Sequence, residues 1–173
     1  MATSPSSKPT ASPLDETLID EILALDLLTL KAHTEQAGDR IDAAPHRARL
    51  CEILPVSRLS PVRRDGRLVA YGMVTQHAYA TWIVTAFNIH PAHRTAGVMR
   101  QMLAGMAALI ESLGLDEICS HVYKANAASV RFHTALGFAI NRENDKAYEF
   151  VAPVGYLLGG ARADRLLRRA VAI

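Results

Sequence analysis

Cysteine, aromatic residues and unbalanced charge are all scarce in this chain. Among 173 residues there are two cysteines, Cys51 and Cys119, far apart and without metal-type spacing. No metal site is expected, and the pair reads as buried thiols in a reducing compartment. A formal net charge of +2, with Lys and Arg scattered except at Arg63-Arg64 and near the C-terminus, argues against nucleic acid or a membrane surface as partner. No apolar run is long enough to span a bilayer. The first residues are rich in Ser, Thr, Pro and Ala and lack an apolar core, so they do not form a secretory signal. Residues 1–12 read as a disordered leader, and a cytoplasmic protein is expected.

What is present is a core-forming composition, 50% hydrophobic and 21% charged, enough for one domain. Ser12 and Pro13 predict a helix start, and Leu18, Ile22, Leu25, Leu28 and Leu30 recur at helical spacing up to about Glu35, with Gly38 beyond. Asp42 is placed to cap a second, short helix carrying Leu50 and Ile53, which Pro55 stops. Two apolar runs, residues 59–63 and 68–74, flank Arg64-Asp65-Gly66-Arg67, a hairpin signal; Pro61 makes the first an edge strand. A third strand covers residues 81–89 after a short loop around residues 78–80. Val98, Met102, Met106, Ile110 and Leu113 then form one helical stripe ending at Gly114. A strand over 118–123, a helix over 127–136 and a hairpin of 139–140 with 147–151 complete an α/β domain, residues 13–158, on a mixed sheet. Residues 159–173 read as a basic helical tail after a glycine hinge.

Ile89-His90-Pro91, Arg94-Thr95-Ala96-Gly97-Val98-Met99, Val122 four residues before Asn126, and His133-Thr134-Ala135-Leu136-Gly137-Phe138 together resemble the GCN5-related N-acetyltransferases (GNAT). The resemblance covers about residues 59–151. It implies a mixed, mostly antiparallel sheet with helices on both faces, acetyl-CoA as acyl donor and a primary amine as acceptor. It also implies that Phe87, Asn88 and Ile89 pair their backbone with the pantetheine arm, and that the loop from Arg94 through Thr95, Ala96, Gly97 and Val98 to Met99 holds the pyrophosphate. The physics of a helix N-terminus agrees, since unpaired N–H groups and the positive dipole end favour phosphate. Arg94 and Arg100 are placed to add charge-assisted bonds. Asn126 is either a cofactor contact or a helix N-cap. Ser129 and Phe132 lie along the same helix, Phe132 equally suited to the core.

The sequence departs from the family pattern in three places. Met99 stands where the family has Gly or Ala, so a bulky side chain must find room beneath the loop. His133 takes the position of a Tyr that would protonate the departing thiolate, and an imidazole suits that role; it is the one expected catalytic residue. No carboxylate lies between Val84 and Ile89 to act as base. His77, His90 and His121 have suitable chemistry, without a choice among them. Asp26, His33, Glu35, Asp39 and Asp42 on the acceptor side read mostly as a solvated face, the alternative being a carboxylate among them that contacts the amine, with none selected. Trp82 suits a pocket wall, the core or a dimer contact. The expected function is acyl-CoA-dependent N-acetylation of a small-molecule amine or peptide, by direct attack. The alternative is an inactive CoA-binding or protein-interaction module. A homodimer is compatible with the resemblance alone.

Overall fold

The computed structural model of the protein describes residues 15–77 and 81–158. The expected leader, the loop at residues 78–80 and the basic tail lie outside the described residues.

Helix α1 (Glu16–Gln36) starts later than Ser12 and Pro13 predict. Asp15 is extended and its carboxylate accepts the Leu18 N–H at 3.2 Å, so the aspartate is the N-cap. Ile19, Ile22 and Leu25 are buried as the spacing requires, but Leu28 is 53% exposed and Asp26 is buried in the same stripe. Helix α2 (Ala43–Ile53) follows Asp42, which is extended but makes no capping bond, and gives way to a 3₁₀ turn containing Pro55.

Strands β1 (Ser57–Arg64), β2 (Arg67–Gln76) and β3 (Trp82–Ile89) form an antiparallel meander. Its first turn has Asp65 and Gly66 at φ 49° and 77°, the twist a two-residue hairpin needs. Helix α3 (Ala96–Ser112), β4 (Glu117–Tyr123), α4 (Ala127–Leu136), β5 (Ala139–Glu143), β6 (Ala147–Pro153) and a short α5 (Val154–Leu158) complete the described chain. Strand order is β1-β2-β3-β4-β6-β5, with only β3 and β4 parallel. Pro61 sits on β1, the outer strand, where its missing N–H breaks no ladder.

Alternation along the strands divides the core in two. On one face Tyr71 and Met73 meet Ile19, Ile22 and Leu25 of α1 and Leu50 of α2. On the other, Ala70 and Ile89 meet Val98 and Met102, and Val74 meets Met106 and Ile110, all on α3. Trp82 packs into the second face. Helix α4 ends at Gly137, φ 91°, where a Cβ would lie 2.4 Å from the Tyr156 ring. Both the left-handed turn and the approach of α5 require glycine there. Cys51 and Cys119 are free and half-buried.

Candidate active site

Strands β3 and β4 are joined at two positions only, Ile83 with Cys119 and Val84 with Ser120. From Thr85 onward the edge of β3 that faces β4 carries no strand. A bulge sits at the point of divergence: Met73 pairs with Ala86 and Val74 with Val84, leaving Thr85 as the extra residue. Its hydroxyl lies 2.7 Å from that of Thr75, which is 2.8 Å from Ser57 Oγ. Phe87, Asn88 and Ile89 run along this open stretch. Phe87 packs on Phe132 of α4, ring centres 5.1 Å apart, and Ile89 is buried against α3. The Asn88 side chain is committed to the opposite face, so only its backbone serves the open edge.

At the far end of β3 the chain enters α3. Thr95 is the N-cap: its hydroxyl accepts the Val98 N–H at 3.3 Å, and its carbonyl accepts that of Met99 at 3.0 Å. The N–H groups of Ala96 and Gly97 have no protein acceptor among the described residues. Gly97 does not have positive φ, and a Cβ there would meet nothing nearer than Thr95 Oγ1 at 3.9 Å. Among the described residues nothing calls for glycine at 97, so the bare position leaves room for a ligand to approach. Met99 resolves its bulk by packing into the cluster of Val98 and Met102 beneath the loop. Arg94 and Arg100 are exposed and have no hydrogen-bond or ion-pair partner among the described residues. Asn126 caps α4, its Oδ1 accepting the Ser129 N–H at 3.0 Å; the cap reading is realised, with the side-chain NH₂ uncommitted.

His133 is 8% exposed and enclosed by Phe132, Phe138 and Phe150, stacked on the last at 5.2 Å. Nδ1 lies 2.8 Å from the Ser129 carbonyl and Nε2 3.0 Å from Ser120 Oγ. A carbonyl only accepts, so Nδ1 carries the proton and Nε2 receives the serine hydroxyl. Burial pushes the imidazole below its usual value, partly offset by the Ser129 bond. In this arrangement the ring is neutral and both nitrogens are occupied. Protonating a thiolate would require one of these bonds to break.

On the opposite face, α1, α2, β2, β3 and β4 enclose an open cleft of about 680 Å³. At its base lies Asp26, 2% exposed. One carboxylate oxygen accepts from Tyr71 Oη at 2.5 Å and Asn88 Nδ2 at 2.7 Å; the other lies 2.8 Å from His46 Nε2. Burial and the Asp26 charge push the Tyr71 phenol well above its usual value, so the phenol is a fixed donor. His46 lines the cleft, and the tautomer that donates from Nε2 to Asp26 has Nδ1 as its acceptor nitrogen. A second junction ties the α1–α2 loop to the other side: Asp39 accepts from Tyr123 Oη at 3.0 Å and Lys146 Nζ at 2.5 Å. Lys146 first and Tyr123 second hold the Asp39 carboxyl below the usual range.

Asp26 thus departs from the expected solvated face, because a helix position beside Leu25 turns inward. Among the histidines considered from sequence, His77 and His121 line the cleft. His121 is bonded to Glu149 at 3.2 Å, and His90 instead caps a turn, its Nδ1 accepting the Ala92 N–H. His46 was not singled out by the sequence. The available signal was the aspartate within an apolar helical stripe, which demands a buried polar partner.

Comparison with known proteins adds to this geometry. Residues 25–138 match the Acetyltransferase (GNAT) family. The chain is similar to the mycothiol acetyltransferase of Thermobispora bispora, 37% identical over 82 residues, which is 43% of this chain and 28% of that protein. It therefore spans under a third of that curated relative. In structure it is similar to a ribosomal-protein alanine N-acetyltransferase from Escherichia coli, with TM-score 0.62, 15% identity and coverage of 83% and 92% of the two chains. It is also similar to the PaiA N-acetyltransferase of Thermoplasma acidophilum, solved with coenzyme A, with TM-score 0.61, 10% identity and coverage of 79% and 93%. At these identities the structural likeness concerns the fold.

Proposed function

The chain belongs to the acetyltransferase (GNAT) family, and from that premise we propose that it moves an acetyl group from acetyl-CoA to an amine by direct attack. The observation that carries this reading is the divergence of β3 from β4 after Val84 and Ser120. It opens a strand edge that leads from the Thr85 bulge to the free amides of Ala96 and Gly97. The residues present fit the donor. The backbone of residues 86–89 would take an extended pantetheine arm as an added strand. Ala96, Gly97, Arg94 and Arg100 would hold phosphate, and Asn126, Ser129 and Phe132 would border the arm from α4. Acetyl-CoA supplies an activated thioester.

The amine enters from the cleft on the other face. His46, oriented by the buried Asp26, is the proton acceptor in this reading; Asp26 is a positioning residue. Backbone N–H groups on the open stretch of β3, between the Thr85 bulge and Ile89, would polarise the acetyl carbonyl. The two bonds on His133 favour a positioning role for that ring, holding α4 against β4, with the thiolate leaving without it. The rest of catalysis is alignment of thioester and amine.

The test follows free thiol on mixing the protein with acetyl-CoA and a broad amine panel, alongside calorimetric titration of CoA. Amine-dependent release is expected. It should fall about 100-fold in His46→Gln with CoA affinity retained, and far less in His133→Gln. CoA binding without release for any amine would favour the inactive module, and no CoA binding would overturn the donor reading.

A further inference from the structure

The charge left unpaired in the acceptor cleft has one sign. Its two carboxylates are already engaged, Asp26 by three donors and Asp39 by Tyr123 and Lys146. Two arginines in its lining, Arg40 and Arg49, have neither a hydrogen bond nor an ion pair among the described residues. The contrast within α2 is informative. Arg47 and Arg49 lie two positions apart, about 200° around a helix. Arg47 turns towards α1, where Glu16 and Asp20 neutralise it. Arg49 turns into the cleft, where its charge reaches the Tyr123 phenol and no acid answers it. One helix therefore neutralises the guanidinium on its packing side and leaves bare the one on the side a substrate would meet.

We infer, resting on the acetyltransferase reading, that the acceptor is an amine that also bears a carboxylate, which Arg40 and Arg49 bind while the amine lies at His46. A guanidinium suits this task because its planar fork takes a carboxylate through paired hydrogen bonds. Both guanidinium groups are exposed at the rim of the cleft, where a concave surface with unpaired charge of one sign draws anions towards it. The same inventory disfavours acceptors carrying several ammonium groups, which would meet two uncompensated cations and no open carboxylate. Amino acids and peptides with a free C-terminus close to the reacting amine have the required chemistry.

The experiment uses matched pairs: alanine, leucine and alanyl-leucine, each beside its C-terminal amide. Each is titrated into the CoA-loaded protein and assayed for thiol release with acetyl-CoA. Each free carboxylate is expected to outperform its amide at least 10-fold in Kd or kcat/KM. The ratio should collapse to about one in the Arg40→Ala/Arg49→Ala double variant and invert in Arg49→Glu. Equal or better performance by the amides, persistence of the ratio in the double variant, or failure of every pair member to bind would each overturn the inference. Failure of the separate CoA titration would instead remove the donor reading, and the pairs, titrated without CoA, would still decide the preference for an anion.

Discussion

The two faces of the sheet solve different problems with different materials. On the α3 and α4 face, packing is mostly apolar, Val74 and Ala70 against Met102, Met106 and Ile110, and most polar features are short-range, a capping threonine, a capping asparagine and two unpaired amides, with the His133–Ser120 bond and the surface Arg64–Gln101 bond reaching further. On the α1 and α2 face, polar groups distant in sequence converge on Asp26, with Tyr71 45 residues away and Asn88 62 residues away. The first face can receive a ligand without rearrangement, because its donors have no other partner. The second has its buried carboxylate fully committed, so what it offers an acceptor comes from side chains nearer the opening, among them His46, His77 and the guanidinium groups at the rim. Donor binding and acceptor chemistry should therefore respond separately to mutation.

The largest expected effect breaks the committed face. Asp26→Ala would leave the Tyr71 hydroxyl and the Asn88 amide buried without their acceptor and release His46. A loss of about 3–5 kcal/mol is expected in urea unfolding, with CoA affinity little changed if the faces are independent. Asp26→Asn sharpens the point. Its oxygen can still accept from Tyr71 and Asn88, but its NH₂ would face His46 Nε2 and force the ring proton onto Nδ1. Stability should fall less than in the alanine variant, while kcat falls about 100-fold. An Asn variant with unchanged kcat would remove His46 as proton acceptor.

The donor face should give the opposite pattern. Gly97→Val adds a side chain beside the free amides, where a Cβ meets nothing nearer than Thr95 Oγ1 at 3.9 Å among the described residues. Stability should stay within about 0.5 kcal/mol of the parent, and CoA affinity should fall at least 10-fold, or about 1.4 kcal/mol. Loss of stability instead would mean that glycine serves packing and not a ligand.

This division also explains what could be read from the sequence. The order of elements, the hairpin at Asp65-Gly66, the stripe on α3 and the glycine turn at Gly137 are local signals, set by neighbouring residues and their periodicity. The turn into α3 at Arg94–Met99 is local in the same sense, whereas its reading as a phosphate loop comes from the family resemblance and belongs to the proposed function. The Asp26 network was not legible, because His46, Tyr71 and Asn88 become its partners only when two helices and two strands are assembled. Leu28 and Asp26 exchanged their expected places because a helical stripe is wide enough for spacing alone to admit either. His133 was placed correctly on its helix, but its chemistry depends on Ser120, which β4 supplies.

The smallest expected effect concerns the buried imidazole of His133 and is read through pH. His46 is bonded to a carboxylate, whereas His133 is bonded only to a carbonyl and a hydroxyl, with no charged group against its ring among the described residues. Burial lowers the folded-state value of His133 below the usual 6.5. Between those two values the unfolded chain binds more protons than the native one, so stability rises with pH in that window. The contribution is fully present above about 6.5, is lost as pH falls towards the folded value, and levels off below it. The carboxylates Glu21, Asp39 and Glu149, lowered by Arg63, Lys146 and Asn141 respectively, act in a more acid window, so the two can be separated. Urea unfolding of the parent from pH 8 to pH 5 should therefore show declining stability, and His133→Gln should flatten that decline whatever its stability at pH 8. A decline that persists unchanged in the variant would mean that His133 is not held neutral, and would return it to consideration as the acid.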